Sequence, residues 1–145
     1  MEFTDKNDIN IIKLLLEGGA DINMQNKLGI TALMNASMIG DTEIVKFLIE
    51  KGADTELKHI HCGATALHAA SAQGYTEVVR LLLEGGADIE SKNKYDETSI
   101  LFPIAYRHTE VVRILLEKGA SLNVKDQNGN TPLNLAETKT PGYDI

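Results

Sequence analysis

The chain has no tryptophan, only 5% aromatic residues and a single cysteine among its 145 positions. A core without large rings must be aliphatic, built from Leu, Ile, Val and Ala. One cysteine, Cys62, excludes an intrachain disulfide. That fits a reducing compartment, and the cytoplasm is the expected location. Basic residues are also short: 14 Lys and Arg stand against 21 Asp and Glu, a formal net charge of −7. A phosphate backbone or an anionic membrane needs a broad basic footprint, which this balance does not offer. Nucleic acid and membranes are therefore not expected partners. Long apolar runs are missing too. The stretch Ile11 to Leu16 is broken by Lys13, so no signal-peptide core is read there. Nothing approaches the roughly 18 apolar residues of a membrane span. No P-loop, dinucleotide fingerprint or HExxH motif occurs. What is present, 43% hydrophobic and 24% charged residues, is the composition of an ordinary soluble domain.

The strongest positive signal is periodicity. Gly19-Ala20-Asp21 returns as Gly52-Ala53-Asp54, Gly86-Ala87-Asp88 and Gly119-Ala120-Ser121. A second marker runs in phase: Thr31-Ala32-Leu33, Thr65-Ala66-Leu67, Thr98-Ser99-Ile100 and Thr131-Pro132-Leu133. The spacing is 33 residues, with one extra residue between Asp54 and Thr65. Before each Gly-Ala pair sits an apolar run such as Val78-Val79-Arg80-Leu81-Leu82-Leu83, whose spacing predicts one broad helical face. Thr42, Thr76 and Thr109, each followed by Glu, mark the starts of these long helices, with the Thr hydroxyl able to cap. Gly52, Gly86 and Gly119 mark their ends. Thr31, Thr65, Thr98 and Thr131 are expected N-caps of shorter helices. The small segment Ala69-Ala70-Ser71-Ala72 lets helices approach closely. Asn26 to Gly29, Asn93 to Asp96 and Asp126 to Gly129 are turn-rich connectors. One such hairpin cannot bury its apolar face alone; stacked neighbours make a continuous core.

Thr65-Ala66-Leu67-His68-Ala69-Ala70, Gly74, Val78-Val79, Leu81-Leu82 and Gly86-Ala87-Asp88 together resemble an ankyrin repeat, and the other copies share the pattern in phase. The resemblance implies an all-α solenoid of stacked helix-turn-helix units with β-hairpin-like finger loops. The units are expected as a half repeat (1–25), repeats 26–58, 59–92 and 93–125, and a closing half (126–145), all in one domain. It implies a protein–protein interaction module that regulates, scaffolds or inhibits a protein partner through a concave groove. It implies no enzymatic activity and no cofactor. His68 is expected to hydrogen-bond neighbouring backbone.

The resemblance also implies which positions face the groove. In the first full repeat these are Lys27, Leu28, Ile30, Met38 and Ile39. In the second they are His61, Cys62, Ala64, Ala72 and Gln73. In the third they are Lys94, Tyr95, Glu97, Ala105 and Tyr106, with Gln127, Asn128 and Asn130 completing the row. Leu28, Ile30, Met38, Ile39, Tyr95 and Tyr106 are apolar or aromatic at nominally exposed positions, which suggests a contact patch.

Departures from the pattern matter as well. Pro103 falls within the third short helix, where a regular interior would lose ~3 kcal/mol, so a distorted helix is expected over 99–106. Arg107 replaces Gly40 and Gly74, and Asp96 replaces Gly29 and Gly63. The extra residue lengthens the second finger, Lys58 to Gly63. His59, His61 and Cys62 there raise a metal-site or metal-dependent hydrolase alternative. Zinc, however, wants three or four ligands, usually from two separated elements. A structural spacer is a further alternative. Glu43, Glu77 and Glu110 interleave with Lys46, Arg80 and Arg113 at helical spacing, the pattern of a solvated outer face. Only half repeats stand at the ends. Either the chain belongs to a longer array, or a monomer exposes incomplete ends that could associate end to end.

Overall fold

The computed structural model describes residues 6–137. They form eight helices: α1 (Lys6–Glu17), α2 (Ala32–Ile39), α3 (Thr42–Glu50), α4 (Ala66–Gln73), α5 (Thr76–Glu84), α6 (Leu101–Ala105), α7 (Thr109–Glu117) and α8 (Pro132–Glu137). No strand occurs among the described residues. The short helices α2, α4, α6 and α8 contact one another in an inner row, and α3, α5 and α7 form an outer row. Each outer helix also packs on the inner helix that precedes it. The expected all-α stack of hairpins is the observed architecture.

The core is aliphatic, as the shortage of rings requires. Val45 and Leu48 of α3, Val79 and Leu82 of α5 and Leu115 of α7 join Leu33, Leu67 and Ile100 of the inner row in one buried cluster. Burying such a side chain stabilises the fold by ~1.5–3 kcal/mol. Small residues let the rows close up: Ala70 and Ser71 are wholly buried where α4 meets its neighbours. Leu101, Ala105 and Leu135 form a second, much smaller cluster, and α8 rests on it.

The recurring Gly-Ala-Asp has a hydrogen-bonding explanation at each letter. After α3, Gly52 adopts φ +87°. Its N–H donates to the Ile49 carbonyl, and the next N–H, of Ala53, reaches back to Leu48. That crossed pair is a Schellman ending. The same bonds recur at Gly86-Ala87 and Gly119-Ala120. The third residue opens the connector: the Asp54 carboxylate accepts from Glu56 N–H, as Asp88 does from Glu90 and the Ser121 hydroxyl from Asn123. The backbone N–H of that third residue then donates to a side chain of the preceding copy. Asp54 donates to Asn23, Asp88 to Glu56 and Ser121 to Glu90. Each lateral bond contributes about 1 kcal/mol and fixes the offset between neighbours.

Two helix-start expectations need correction. Thr42, Thr76 and Thr109 are the first helical residues, not the caps. The cap positions are Asp41, Tyr75 and His108, and only Asp41 bonds through its side chain, to Ile44 N–H. In the inner row Thr31 and Thr65 do cap, and the Thr131 hydroxyl accepts from Asn134 N–H. Thr98 does not. Its helix begins later, at Leu101, and the buried Thr98 and Ser99 hydroxyls find no partner among the described residues. Pro103 is the cause. Starting late places it in the first turn, where a missing N–H leaves no intrahelical bond unmade. The result is five helical residues where α4 has eight.

Two ring contacts explain the inner-helix ends. Gly40 and Gly74 hold left-handed backbone, and the Tyr75 and His108 rings of the next copy press against them. A Cβ on Gly74 would sit 2.5 Å from His108 Nδ1. His108 Nε2 bonds the Ala72 carbonyl at 2.9 Å. Arg107 holds the same left-handed backbone, φ +68°.

Gly74→Ala is expected to lower the unfolding free energy by about 2–4 kcal/mol, from backbone strain plus overpacking. Gly129→Ala, at φ +83° with nothing near the added carbon, loses only about 1 kcal/mol. Urea unfolding of both variants checks this, and equal losses would remove the ring contact from the explanation.

Candidate functional site

The candidate positions lie on the finger turns and on the C-terminal ends of the inner helices. Each finger is closed by two backbone bonds: Asn26 N–H to Ile30, His59 to Ala64, Asn93 to Glu97 and Asp126 to Asn130, with Gly29, Gly63, Asp96 and Gly129 N–H returning to Asn26, His59, Asn93 and Asp126. A side chain then organises the tip. Asn26 Oδ1 accepts from Leu28 and Ile30 N–H, Asn93 Oδ1 from Tyr95 and Glu97, and Asp126 Oδ1 from Asn128 and Asn130. The fingers are thus tight polar turns, not strand pairs. In the longer second finger His59 takes the Asn role, and its Nδ1 accepts from His61 N–H.

Adjacent fingers are joined edge to edge through their main chains. Ile60 N–H donates to the Leu28 carbonyl at 2.8 Å, and Lys94 N–H to Cys62 at 3.0 Å. The approach is close because a Cβ on Gly63 would lie 2.8 Å from Lys94 N. At the third junction the glycine position is Asp96, held at φ +63°. There the corresponding donor, Gln127 N–H, reaches the Glu97 carboxylate at 2.9 Å instead of a main-chain carbonyl.

The structure leaves Lys27, Leu28, Met38, Ile39, His61, Gln73, Lys94, Tyr95, Tyr106, Gln127 and Asn128 exposed, with Ile30 and Cys62 half-buried. Ala105 is buried, and Glu97 likewise departs from the expected exposure: it is only 7% accessible. Its Oε1 accepts from the Asn93 side-chain amide and its Oε2 from Gln127 N–H. Its main-chain carbonyl is also engaged, by His68 Nε2 at 2.9 Å.

His68 is a structural link between α4 and the third finger. Nδ1 accepts from Thr65 N–H at 3.1 Å, which leaves the proton on Nε2 to donate to Glu97. Burial lowers its pKa from the ordinary 6.5, against the opposing pull of the Glu97 carbonyl. The neutral ring is the form the fold accommodates, since a second ring proton would face the Thr65 N–H.

Glu97, Tyr106, Gln127 and Asn128 come together around a cleft of ≈ 290 Å³ between α6 and the fourth finger. Its walls add Leu101, Phe102, Asp126 and Leu135, which the sequence did not mark as site residues. Phe102 carried a signal, since Asn35 and Ala69 occupy its place in earlier copies. A second cleft, bounded by Tyr95, Asp96 and Val124 among others, opens at the same junction.

The metal alternative finds no support in the geometry. Among the described residues no three His, Cys, Asp or Glu side chains gather to hold an ion. The His59 and His61 rings stand 5.8 Å apart without a third ligand. Among the described residues no helix is long and apolar enough to cross a membrane. Two of the three outer couples pair as the spacing implied: Glu77 meets Arg80 and Glu110 meets Arg113 one turn apart in exposed pairs.

Because the unfolded chain binds a proton to His68 more readily than the fold does, stability is complete above pH 6.5 and declines as pH falls below it. His68→Gln is expected to flatten the dependence between about pH 7.5 and about pH 5.5. Urea unfolding across that range reads it, and an unchanged slope would assign the effect elsewhere.

A comparison with curated proteins finds no match. A family model described as ankyrin repeats in three copies matches residues 1–93, and one described as ankyrin repeats in many copies matches residues 103–136. The unmatched stretch between them holds Asp96, Glu97 and the late start of α6. Since the first match alone spans more than half of the sequence, the chain belongs to the ankyrin-repeat family.

Proposed function

We propose that the face formed by the fingers and the ends of the inner helices is the binding surface for a protein partner. Ankyrin repeats are generally protein–protein interaction modules. One observation carries the assignment to this face. Leu28, Met38, Ile39, Tyr95 and Tyr106 are exposed along it, whereas the outer helices α3, α5 and α7 expose a single large apolar residue, Leu116. Tyr on a rigid scaffold offers large contact area at little entropic cost, and Met offers a flexible, polarisable surface that adapts to a partner. The outer helices instead carry charged residues in solvated pairs, which contribute little to binding energy. In this reading the chain is not an enzyme; it holds a partner in place to regulate, scaffold or inhibit it.

Its ends offer separate surfaces. Leu15 of α1 is 58% exposed where the equivalent Leu48 is 1% exposed, and Leu133 of α8 is 76% exposed. These are the positions that end-to-end association would cover.

Proteins retained from native lysate by the immobilised chain identify the partner. Against that partner, Tyr95→Ala and Met38→Ala are each expected to weaken affinity roughly 10- to 30-fold, as hot-spot truncations do. Glu84→Ala on the outer face leaves affinity unchanged. Weakening by Glu84→Ala alone would place the site on the opposite side.

A further inference from the structure

We propose that the cleft between α6 and the fourth finger is an anchor pocket for one arginine side chain of the partner. The proposal rests on the face assignment above and gives it a chemical specificity. The cleft is continuous with the proposed surface, since Tyr106, Gln127 and Asn128 belong to both. Its ≈ 290 Å³ lies at the small end of ligand pockets, a size for one long side chain and not a whole cofactor.

The lining chooses the occupant. It contains two carboxylates, Glu97 and Asp126, and no Lys, Arg or His. Glu97 is buried, and the donors to its carboxylate, a side-chain amide and a main-chain N–H, are neutral. A buried carboxylate is costly without a cation. Each oxygen has a second acceptor position beyond the bond it already makes. Asp126 offers less room: its Oδ1 already accepts two N–H bonds of its own finger, while Oδ2 accepts one bond, from the Asn130 amide, and keeps a second acceptor position. A guanidinium can meet both lone-pair edges of a carboxylate in a planar fork. Phe102 and Tyr106 supply ring faces for that plane, and Leu101 and Leu135 supply apolar surface for the stem. Lysine has the charge without the fork or the stacking plane.

Comparison within the molecule supports a built feature. The places of Glu97 in the other fingers are taken by Ile30, Ala64 and Asn130, and the places of Phe102 by Asn35 and Ala69. Only the third pair brings a carboxylate and a ring to one cleft. The substitution of Asp96 for glycine accompanies the loss of the main-chain link between fingers, and Glu97 stands in the gap. A chain of net charge −7 also favours a basic segment in the encounter.

The test is an NMR titration of the full isotope-labelled chain with three capped tripeptides, Gly-Arg-Gly, Gly-Lys-Gly and Gly-citrulline-Gly. The arginine peptide is expected to shift the Gln127 amide saturably, with a Kd in the range of about 1 mM. Citrulline, which has the same shape without charge, binds at least roughly 10-fold more weakly, and lysine falls between. Glu97→Gln and Asp126→Asn each weaken the arginine peptide by roughly 10-fold. Asp126→Asn keeps the finger folded, because Asn26 and Asn93 make the equivalent turn bonds. No saturable shift, equal binding of citrulline or lysine, or unchanged arginine binding in Asp126→Asn would overturn the assignment. Tyr95→Ala and Met38→Ala leave the peptide titration unchanged. If those variants also left partner affinity unchanged, the wider face would be wrong while the pocket stood. The reverse result would remove the pocket alone.

Discussion

Every feature of this molecule depends on lateral contact between copies of one helical hairpin. A hairpin of an eight-residue inner helix and a nine-residue outer helix exposes more aliphatic surface than it can cover itself. Leu33, Leu67 and Ile100 are buried because each lies between hairpins as well as within one. The polar connectors repeat the same principle. Asp54, Asp88 and Ser121 each give their backbone N–H to a side chain of the copy before. Stability is then close to a sum of neighbour terms, and a poor junction weakens the stack locally.

The third junction is where those terms thin out. The main buried cluster ends with α7, and α8 rests on Leu101, Ala105 and Leu135. Asp96 and Arg107 hold left-handed backbone without being glycine. Local rules broken together, in one place, mark either strain or function. The cleft with its paired carboxylates occupies the same place, so the weaker packing and the proposed anchor pocket have one structural origin.

Much of the fold was legible in the sequence because its causes are local. Gly-Ala-Asp encodes a helix ending and a turn within three residues, and the apolar spacing of Val78 to Leu83 admits one helical face. What was misread depended on neighbours. Thr42, Thr76 and Thr109 looked like caps, but the chain's approach from Gly40, Gly74 and Arg107 moves the cap one residue earlier. Pro103 looked like a helix interior until the late start at Leu101 placed it in a first turn. Glu97 looked like an exposed fingertip. Its burial follows from Gln127 turning to its carboxylate, a contact between segments 30 residues apart that no spacing rule contains.

Native-state hydrogen exchange tests the neighbour-sum account most directly, because it reads stability copy by copy. The account predicts that Val79 and Leu82 amides exchange only through global unfolding, while Leu135 and Gln127 amides exchange through a local opening of lower free energy. Equal opening free energies at Leu82, Leu135 and Gln127 would contradict it, showing one cooperative block with no weak third junction.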